Sequence, residues 1–245
     1  DEITSHAKAA YELNHETDTI IEIGGQDAKF TLMHNGSVTF SQMNSVCAAG
    51  TGSFLQEQAK KLGCSLYDYA GRAENVSSPL ASDRCAVFME RDISQLLNTG
   101  YSVNEILATA LHSVTENYLK KVATEASIGQ NICFQGATAK NKSLVAAFEQ
   151  RLNKPIYVSE YCHLTGALGT ALMLQEQQLS QTGFRGIEIY HEEIEVETEV
   201  CTMCTNNCCI SSAIVSGEKV AFGFMCGRDY ETRHYISRNR TGFDL

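Results

Sequence analysis

Apolar residues recur at helical spacing in six segments of the first 178 residues. Thr4 is a candidate N-cap for the first segment, and Ser102 with Glu105 forms a capping box for the longest one. Leu66–Ala73 predicts only a short turn. The predicted helices are Glu2–Leu13, Gly52–Leu62, Ala86–Leu97, Val103–Ala126, Asn141–Leu152 and Leu164–Gln178.

Segments with strand patterns lie between these helices. Continuous apolar residues in the first of them, TIIEI, predict a buried strand, and the next two flank Asn35-Gly36, which predicts a hairpin. The alternation of helices and strands predicts an α/β lobe whose sheet is mostly parallel and begins with short hairpin strands. The predicted strands are Thr19–Ile23, Ala28–Met33, Ser37–Met43, Asn131–Gln135 and Pro155–Val158.

The pattern changes after the last predicted helix. The polar segment Gln175–Arg185 predicts a linker. Ile187–Val200 alternates apolar and acidic residues like a half-exposed strand, and a hairpin that turns at Gly217 comes after it. We therefore expect two domains, an α/β lobe over residues 1–184 and a small cysteine-rich β appendage over residues 185–245.

The composition of the 245 residues, 43% apolar and 20% charged, is typical of a globular enzyme. No apolar run is long enough to span a bilayer. The net charge of −10 argues against nucleic acid or an anionic membrane as a partner, because a polyphosphate surface would repel the chain. No signal peptide is present and the sequence begins at Asp1 rather than Met, which predicts a piece of a longer cytoplasmic protein.

Ten cysteines in a secreted chain of this length would indicate disulfides, but no export signal accompanies them here. In the tail, the spacing Cys201-x2-Cys204-x3-Cys208, followed by Cys226 beyond a hairpin, offers four thiolates to one Zn²⁺ or one iron–sulfur cluster. Cys209 is the spare thiol of this group. We therefore predict a metal centre in the tail and a reducing, anaerobic cytoplasm.

Two further cysteines lie at predicted helix starts. Cys47 is followed by the glycine-rich turn AAGTG, and Cys85 directly precedes a helix. The helix dipole and the unpaired amides at such positions favour a thiolate that binds a metal. A lone cysteine there is more often only a small buried residue, so this pattern leaves both interpretations open. The expected structural thiols are Cys64, Cys133 and Cys162.

A pair of glycines follows the first strand. The backbone amides of Gly24-Gly25 can approach an anion, and the Glu22 carboxylate at the strand end is suited to a hydrated Mg²⁺. On spacing alone, such a pair more often marks only a tight turn. The later turn FQGATAKN, which includes Gly136 and Asn141, is by itself a still weaker nucleotide signal.

Five strings in this order, through about residues 1–178, resemble the BadF/BcrA-type ATPases, the activators of 2-hydroxyacyl-CoA dehydratases. The resemblance implies the actin/Hsp70/sugar-kinase fold, a ribonuclease H-like lobe with a mixed sheet and flanking helices. We expect the chain to form the second lobe of that fold, since nothing before Glu2 matches the first phosphate loop. The strings are EIGGQDAKF, MNSVCAAGTGSFLQEQA, SDRCAVFMERDISQLL, FQGATAKN and HLTGALGTALM.

The resemblance implies that ATP or ADP binds with Mg²⁺ at the two glycine turns. It makes Glu22 and Gln26 the candidate catalytic residues, although related activators often carry Asp in place of Glu22. Lys29 lies on a strand, so a solvated lysine and a phosphate contact remain equal alternatives. The candidate nucleotide-binding residues are Gly24, Gly25, Gln26, Asp27, Lys29, Gly136, Ala137, Asn141 and Gly166.

The resemblance also implies one [4Fe–4S] cluster shared between two copies of the lobe, with Cys47 and Cys85 as the ligands from each copy. A ferredoxin or flavodoxin would reduce the cluster, and nucleotide turnover would move the cluster-bearing helices so that an electron passes to a dehydratase-type partner. In very long members of the family, a similar cysteine-rich stretch joins the activator to a dehydratase-like portion. The resemblance implies that the cysteine-rich tail of this chain is the same kind of connecting segment.

The leading hypothesis is therefore an ATP-dependent iron–sulfur activator lobe. Two other functions stay open. A docking or scaffold copy of the lobe, without ATP hydrolysis, is favoured by the missing match to the first phosphate loop. A phosphotransferase of the sugar-kinase class would share the two glycine turns but gives no reason for the strings CAAGTG and SDRC.

Overall fold

The computed structural model describes residues 1–44, 48–123, 127–178 and 183–226. The chain forms two compact units, Asp1–Ser180 and Gln181–Leu245. The domain boundary at residue 184, which the change in composition indicates, stays a prediction, because it concerns whether each part folds independently.

Seven helices are described in the first unit. Leu66–Ala73 is a helix and not the predicted turn, because the Ser65 side chain caps it by accepting a hydrogen bond from Asp68 N. The cap of the first helix is Asp1, whose side chain accepts from Thr4 N, so the prediction of Thr4 as the cap is wrong. The helices are α1 (Glu2–Leu13), α2 (Gly52–Lys61), α3 (Leu66–Ala73), α4 (Ala86–Asn98), α5 (Val103–Lys121), α6 (Lys142–Leu152) and α7 (Thr165–Gln177).

The first unit contains a mixed five-stranded sheet of order β3-β2-β1-β4-β5. The β1–β4 and β4–β5 pairs are parallel, and the β1–β2 and β2–β3 pairs are antiparallel. The sheet is therefore half antiparallel rather than mostly parallel, because the hairpin supplies two of its five strands. The strands are β1 (Thr19–Ile23), β2 (Ala28–His34), β3 (Ser37–Met43), β4 (Ile132–Gln135) and β5 (Ile156–Tyr157).

Helices cover both faces of this sheet. On one face, Phe134 packs edge-to-face against Phe148 of α6, which in turn meets Tyr118 of α5. On the other face, Ala7 and Ala10 of α1 pack in a smaller apolar cluster. Helix α7 lies against α1, where a Cβ on Gly169 would be 1.7 Å from the Ser5 carbonyl oxygen, so only glycine fits.

The register of the central strands sets a polar row across the sheet. Glu22 of β1 lies opposite Lys29 of β2 on one side and Gln135 of β4 on the other. Residues in register point to the same face of a sheet, which here is the face covered by α1. The row stands at the end of β1, directly before the first glycine turn.

The second unit contains a three-stranded antiparallel sheet of order β6-β7-β8. The predicted strand Ile187–Val200 is wrong in its first half: Ile187–His191 is a 3₁₀ turn, and pairing begins only at Val196. The hairpin around Gly217 is confirmed. The strands are β6 (Val196–Val200), β7 (Cys209–Val215) and β8 (Glu218–Phe222). No helix in the described ranges of the chain is long and apolar enough to cross a membrane.

Candidate functional site

The loop Gly24–Asp27 connects β1 to β2 and is open to solvent. It is closed by one hydrogen bond, from Gly24 N to Asp27 O at 2.8 Å. Gly25, Gln26 and Asp27 are exposed, and their amides donate to no residue in the described part of the chain. A Cβ on Gly25 would meet nothing within 4 Å. Within the described residues the loop therefore presents successive amides without a hydrogen-bond acceptor, which is the arrangement that binds an anion.

The carbonyl groups of this loop are tied to the start of α2. Gly52 N and Ser53 N donate to Gly24 O and Gly25 O, each at 2.8 Å, and the Ser53 hydroxyl also donates to Gly25 O. A Cβ on Gly52 would lie 2.9 Å from Gly24 O and 2.9 Å from the Thr138 methyl carbon. The first turn of α2 is thus wedged between the loop and the second predicted nucleotide turn.

The second turn follows β4 and touches the end of β1. Gly136 has φ = 92°, and a Cβ there would lie 2.2 Å from Ile23 O. The Thr138 hydroxyl donates to the same oxygen at 2.6 Å. Ala137 is exposed, whereas the Asn141 side chain caps α6 by accepting from Ser143 N and Leu144 N. The two turns are therefore adjacent, and their nucleotide contacts remain predictions.

A polar cluster, largely buried except for the exposed Glu2, stands beside the loop on the face covered by α1. Lys29 Nζ donates to Glu22 Oε1 at 3.1 Å and to Glu2 Oε1 at 2.9 Å. His6 Nε2 lies 3.4 Å from Glu22 Oε1, and His6 Nδ1 lies 2.9 Å from Gln135 Oε1. Ligand atoms of Glu2, His6 and Glu22 all lie within 4.8 Å of one another. We call these five residues the Glu22 cluster.

Lys29 supplies a cation to this cluster. Its side chain is almost completely buried. Burial alone would lower the Lys29 pKa, but the hydrogen bonds and charges of Glu2 and Glu22 outweigh it and raise the pKa. The hydrogen bond from Lys29 is the main reason why the Glu2 pKa is lowered. Lys29 and Glu22 therefore already form an ion pair. A phosphate at Lys29 or a hydrated Mg²⁺ at Glu22 would have to bind beside this pair or break it, and both contacts stay predictions.

Gly166 belongs to α7, where a Cβ would lie 3.1 Å from His6 Nε2. The structure thus brings this predicted nucleotide residue to the Glu22 cluster. Sequence reasoning missed His6 and Gln135, because only the packing of α1 on the sheet unites them.

Cys85 is the N-cap residue of α4, partly exposed, and its side chain makes no capping hydrogen bond. Cys47 lies outside the described residues. Asn117 of α5 donates from Nδ2 to Asp83 O and Arg84 O, both at 2.6 Å. A Cβ on Gly50 would lie 2.9 Å from Asn117 Oδ1. One buried asparagine, also missed from the sequence, therefore touches both the segment before Cys85 and the turn after Cys47.

The four tail cysteines do not converge on one point. Cys201 and Cys208 are buried and joined by a hydrogen bond from Cys201 N to Cys208 O at 2.8 Å, while Cys204 is exposed and Cys226 is partly exposed. No three of these four described sulfurs lie within 4.8 Å of one another. A metal centre in the tail stays a prediction.

The cysteines expected to be structural are buried. Burial raises the pKa of Cys133 to about 12 and also raises the pKa of Cys162. Cys64 is buried in the main apolar core. Protonated, enclosed thiols at Cys133 and Cys162 are poor nucleophiles and poor metal ligands.

Comparison with known proteins matches the α/β unit to one family. The model of the BadF/BadG/BcrA/BcrD ATPase family matches residues 1–173. The 2-hydroxyisocaproyl-CoA dehydratase activator of Clostridioides difficile is 33% identical over 173 residues, which cover 70% of this chain and 65% of the relative. The chain thus spans slightly less than two thirds of that relative.

Solved structures agree with this match. Component A of the (R)-2-hydroxyglutaryl-CoA dehydratase from Acidaminococcus fermentans has 34% identity and a TM-score of 0.67, over 70% of this chain and 66% of that one. The Clostridium difficile 2-hydroxyisocaproyl-CoA dehydratase activator with bound ADPNP has 30% identity and a TM-score of 0.65, over 75% and 71%. Xylulose kinase from Rhodospirillum rubrum, at 15% identity and a TM-score of 0.50 over 75% and 43%, shares the fold alone. The predicted actin-like fold is therefore confirmed.

Proposed function

Because the chain belongs to the BadF/BadG/BcrA/BcrD ATPase family, we propose that it is the nucleotide-binding lobe of an ATP-dependent activator of a 2-hydroxyacyl-CoA dehydratase. The observation that carries this proposal is the loop Gly24–Asp27, whose exposed amides donate to no described residue and whose carbonyls accept hydrogen bonds from the start of α2. The amides are suited to the phosphates of ATP or ADP, and the similar activator with bound ADPNP supports that ligand.

The same loop offers a route from nucleotide to electron transfer. Its carbonyls are bound by Gly52 and Ser53, only a few residues beyond Cys47. A change in the loop on phosphate binding would therefore move the start of α2 and the segment that precedes it. The activity requires such a link, because ATP must alter the position or surroundings of an electron carrier.

We propose that Cys47 and Cys85 hold one [4Fe–4S] cluster together with the same two cysteines of a second copy. The cluster, when bound, would supply one-electron transfer. The partly exposed helix-start position of Cys85 fits a thiolate ligand, and its side chain is not used in capping. Asn117 would fix the backbone that precedes Cys85, since its side chain donates to the Asp83 and Arg84 carbonyls. It would also fix the turn that follows Cys47, since it lies against Gly50.

The proposed partners follow from this role. A reduced ferredoxin or flavodoxin would donate the electron and a dehydratase component would receive it. The nine described cysteines are all unpaired, which supports a reducing cytoplasm. One observation favours the alternative of a docking copy that does not hydrolyse ATP: Lys29, the predicted phosphate contact, is held by Glu2 and Glu22.

The proposal is tested with the anaerobically purified chain. We expect calorimetry to detect binding of Mg-ADPNP, and we expect ATP to be required for electron transfer from the reduced chain to a 2-hydroxyacyl-CoA dehydratase component. Omission of ATP is the control. Failure to bind ADPNP would contradict the activator role, whereas binding without ATP-dependent electron transfer would favour the docking copy.

We also propose a metal centre in the tail. Its ligands to Zn²⁺ or an iron–sulfur cluster would be Cys201, Cys204, Cys208 and Cys226. Among the described residues of this unit, the buried apolar cluster consists of Cys201, Cys208 and Ile210, with Ala221 and Phe224 packed against it, and β6 is exposed along its length. A unit with so little apolar burial usually needs a metal to fold. Chelation is therefore expected to abolish hydrogen-exchange protection in β6–β8 and to leave β1–β5 protected.

Elemental analysis identifies the metal, with Cys209→Ala as the matched control for Cys204→Ala, since both residues are exposed. Cys204→Ala should lose the metal and Cys209→Ala should keep it. Freshly reduced, metal-free protein with full protection in β6–β8 would rule out the tail centre.

A further inference from the structure

Thr138 contacts both the end of β1 and the start of α2, beside the open loop Gly24–Asp27. It is half-buried and lies in the 3₁₀ turn Ala137–Lys140, just after β4. Its hydroxyl donates to Ile23 O at 2.6 Å, and its methyl carbon lies against Gly52, the first residue of α2. One side chain therefore joins the second predicted nucleotide turn to two elements that border the first.

The hydroxyl group anchors this second turn to the sheet. The parallel pairing of β1 with β4 ends one residue before Gly136, where φ is 92° and the chain turns away. The Thr138 hydroxyl adds one hydrogen bond beyond that last pair, to the carbonyl of Ile23. The turn is also closed by backbone hydrogen bonds from Ala139 N to Gly136 O and from Asn141 N to Thr138 O. Thr138 is thus held in place relative to β1.

The methyl group leaves no free space at the start of α2. A Cβ on Gly52 would lie 2.9 Å from the Thr138 methyl carbon and 2.9 Å from Gly24 O, and both distances are too short for a real side chain. The amides of Gly52 and Ser53 also donate to Gly24 O and Gly25 O. The first turn of α2 is therefore held between the open loop on one side and Thr138 on the other.

Close packing allows these two contacts to move α2. Packed protein interiors have low compressibility, so a small displacement of one surface displaces the surface packed against it. A ligand that binds only the open loop acts on α2 through the loop carbonyls. A nucleotide that also contacts the second turn acts on α2 through Thr138 as well. The start of α2 thus adjoins the protein surfaces that would hold the two ends of a nucleotide.

We propose that Thr138 is a specificity-determining positioning residue, whose methyl group makes the response of α2 depend on the nucleoside part of the bound nucleotide. The inference rests on the proposed function, which places the phosphates at the open loop and the nucleoside at the second turn. Phosphates alone produce a partial response, through the loop carbonyls. The full response requires a ligand that contacts both turns, so an inorganic polyphosphate does not replace the nucleotide.

Amide hydrogen exchange, resolved by NMR at Gly52 and Ser53, measures this response, because these two amides donate to the loop carbonyls. The anaerobically purified chain is compared alone, with saturating Mg-ADPNP and with saturating inorganic triphosphate and Mg²⁺. In the parent, we expect ADPNP to change the exchange rate about fivefold or more, the lower end of typical coupling between two sites, and triphosphate to change it less.

Two substitutions separate the two parts of the Thr138 side chain. Thr138→Ser removes only the methyl group and is expected to reduce the effect of ADPNP to that of triphosphate, with little change in ADPNP affinity. Thr138→Val keeps the methyl group and removes the hydrogen bond to Ile23 O, so it should keep the response but lower the unfolding temperature. Thr39→Ser is the matched control, because the hydroxyl of Thr39, an exposed residue of β3, also donates to a strand carbonyl, Leu32 O.

The outcomes separate this inference from the proposed function. A parent chain that does not bind ADPNP contradicts the proposed function itself. Equal effects of ADPNP and triphosphate in the parent, or an undiminished effect of ADPNP in Thr138→Ser, overturn the role of Thr138. Loss of the response in Thr138→Val overturns the assignment to the methyl group. If Thr138→Ser fails to fold, the comparison of the two ligands in the parent and in Thr138→Val still decides.

Discussion

Gly25→Val is expected to lower the affinity for Mg-ADPNP by about 100-fold without changing the unfolding temperature. A valine side chain would stand where a phosphate has to approach the free amides of Gly25, Gln26 and Asp27. Loss of about two charge-assisted hydrogen bonds, each worth about 1.5 kcal/mol, corresponds to that factor. The fold should tolerate the change, because a Cβ on Gly25 meets nothing within 4 Å and its backbone does not require glycine.

Titration calorimetry with Mg-ADPNP and thermal unfolding measure the two quantities. Gly183→Val is the matched control, since Gly183 is equally open but lies in the other unit. Gly136→Ala should behave differently and lose stability as well as affinity, because its Cβ would overlap Ile23 O at φ = 92°. Equal ADPNP affinity in Gly25→Val and the parent would remove the loop from the nucleotide site.

The position of the open loop Gly24–Asp27 could be predicted from sequence because its signal is local. An apolar strand, two glycines and a hairpin lie within one short segment, and the structure has β1, the open loop and β2 in those places. The same is true of the capping box at Ser102 and Glu105, whose reciprocal hydrogen bonds are present at the start of α5. Where sequence neighbours are also spatial neighbours, the pattern alone is sufficient.

The Glu22 cluster could not be predicted in that way. His6 lies far along the sequence from Gln135, and only the packing of α1 over β4 brings the two together. Asn117 likewise resembles any polar residue of an amphipathic helix until the Asp83–Arg84 backbone is placed against it. Such partners are set by tertiary contacts, which a single sequence does not encode as a periodic pattern.

The tail shows the converse error. Ile187–Val200 alternates as a strand does, yet only residues from Val196 onward pair with β7, opposite Ala213. Alternation describes a segment that can be half buried, but a strand also needs a hydrogen-bonding neighbour along its whole length. In the described tail, β7 has no residues opposite the first half of that segment.

Cys85→Ala is expected to abolish the iron–sulfur absorbance of the proposed shared cluster and to weaken the proposed association between two copies. The proposed cubane needs four thiolates, and each copy offers Cys47 and Cys85, so loss of one position removes two ligands from the assembled site. Helix α4 should remain folded, because the Cys85 side chain makes no capping hydrogen bond. Iron and acid-labile sulfide per chain, measured anaerobically, report the cluster, and light scattering reports the association.

Cys209→Ala is the matched control for this loss, since it removes an exposed thiol and leaves the tail ligands intact. Iron bound in the tail is common to both variants and therefore cancels in the comparison. A substitution at Asn117, which is not a proposed ligand, separates ligation from positioning. Asn117→Leu should retain the iron, because both cysteines remain. It should shift the reduction potential of the proposed cluster, because the Asp83 and Arg84 carbonyls lose their donor and the backbone beside Cys85 can move. Unchanged iron in Cys85→Ala would show that this thiol is not a cluster ligand, whatever Asn117 does.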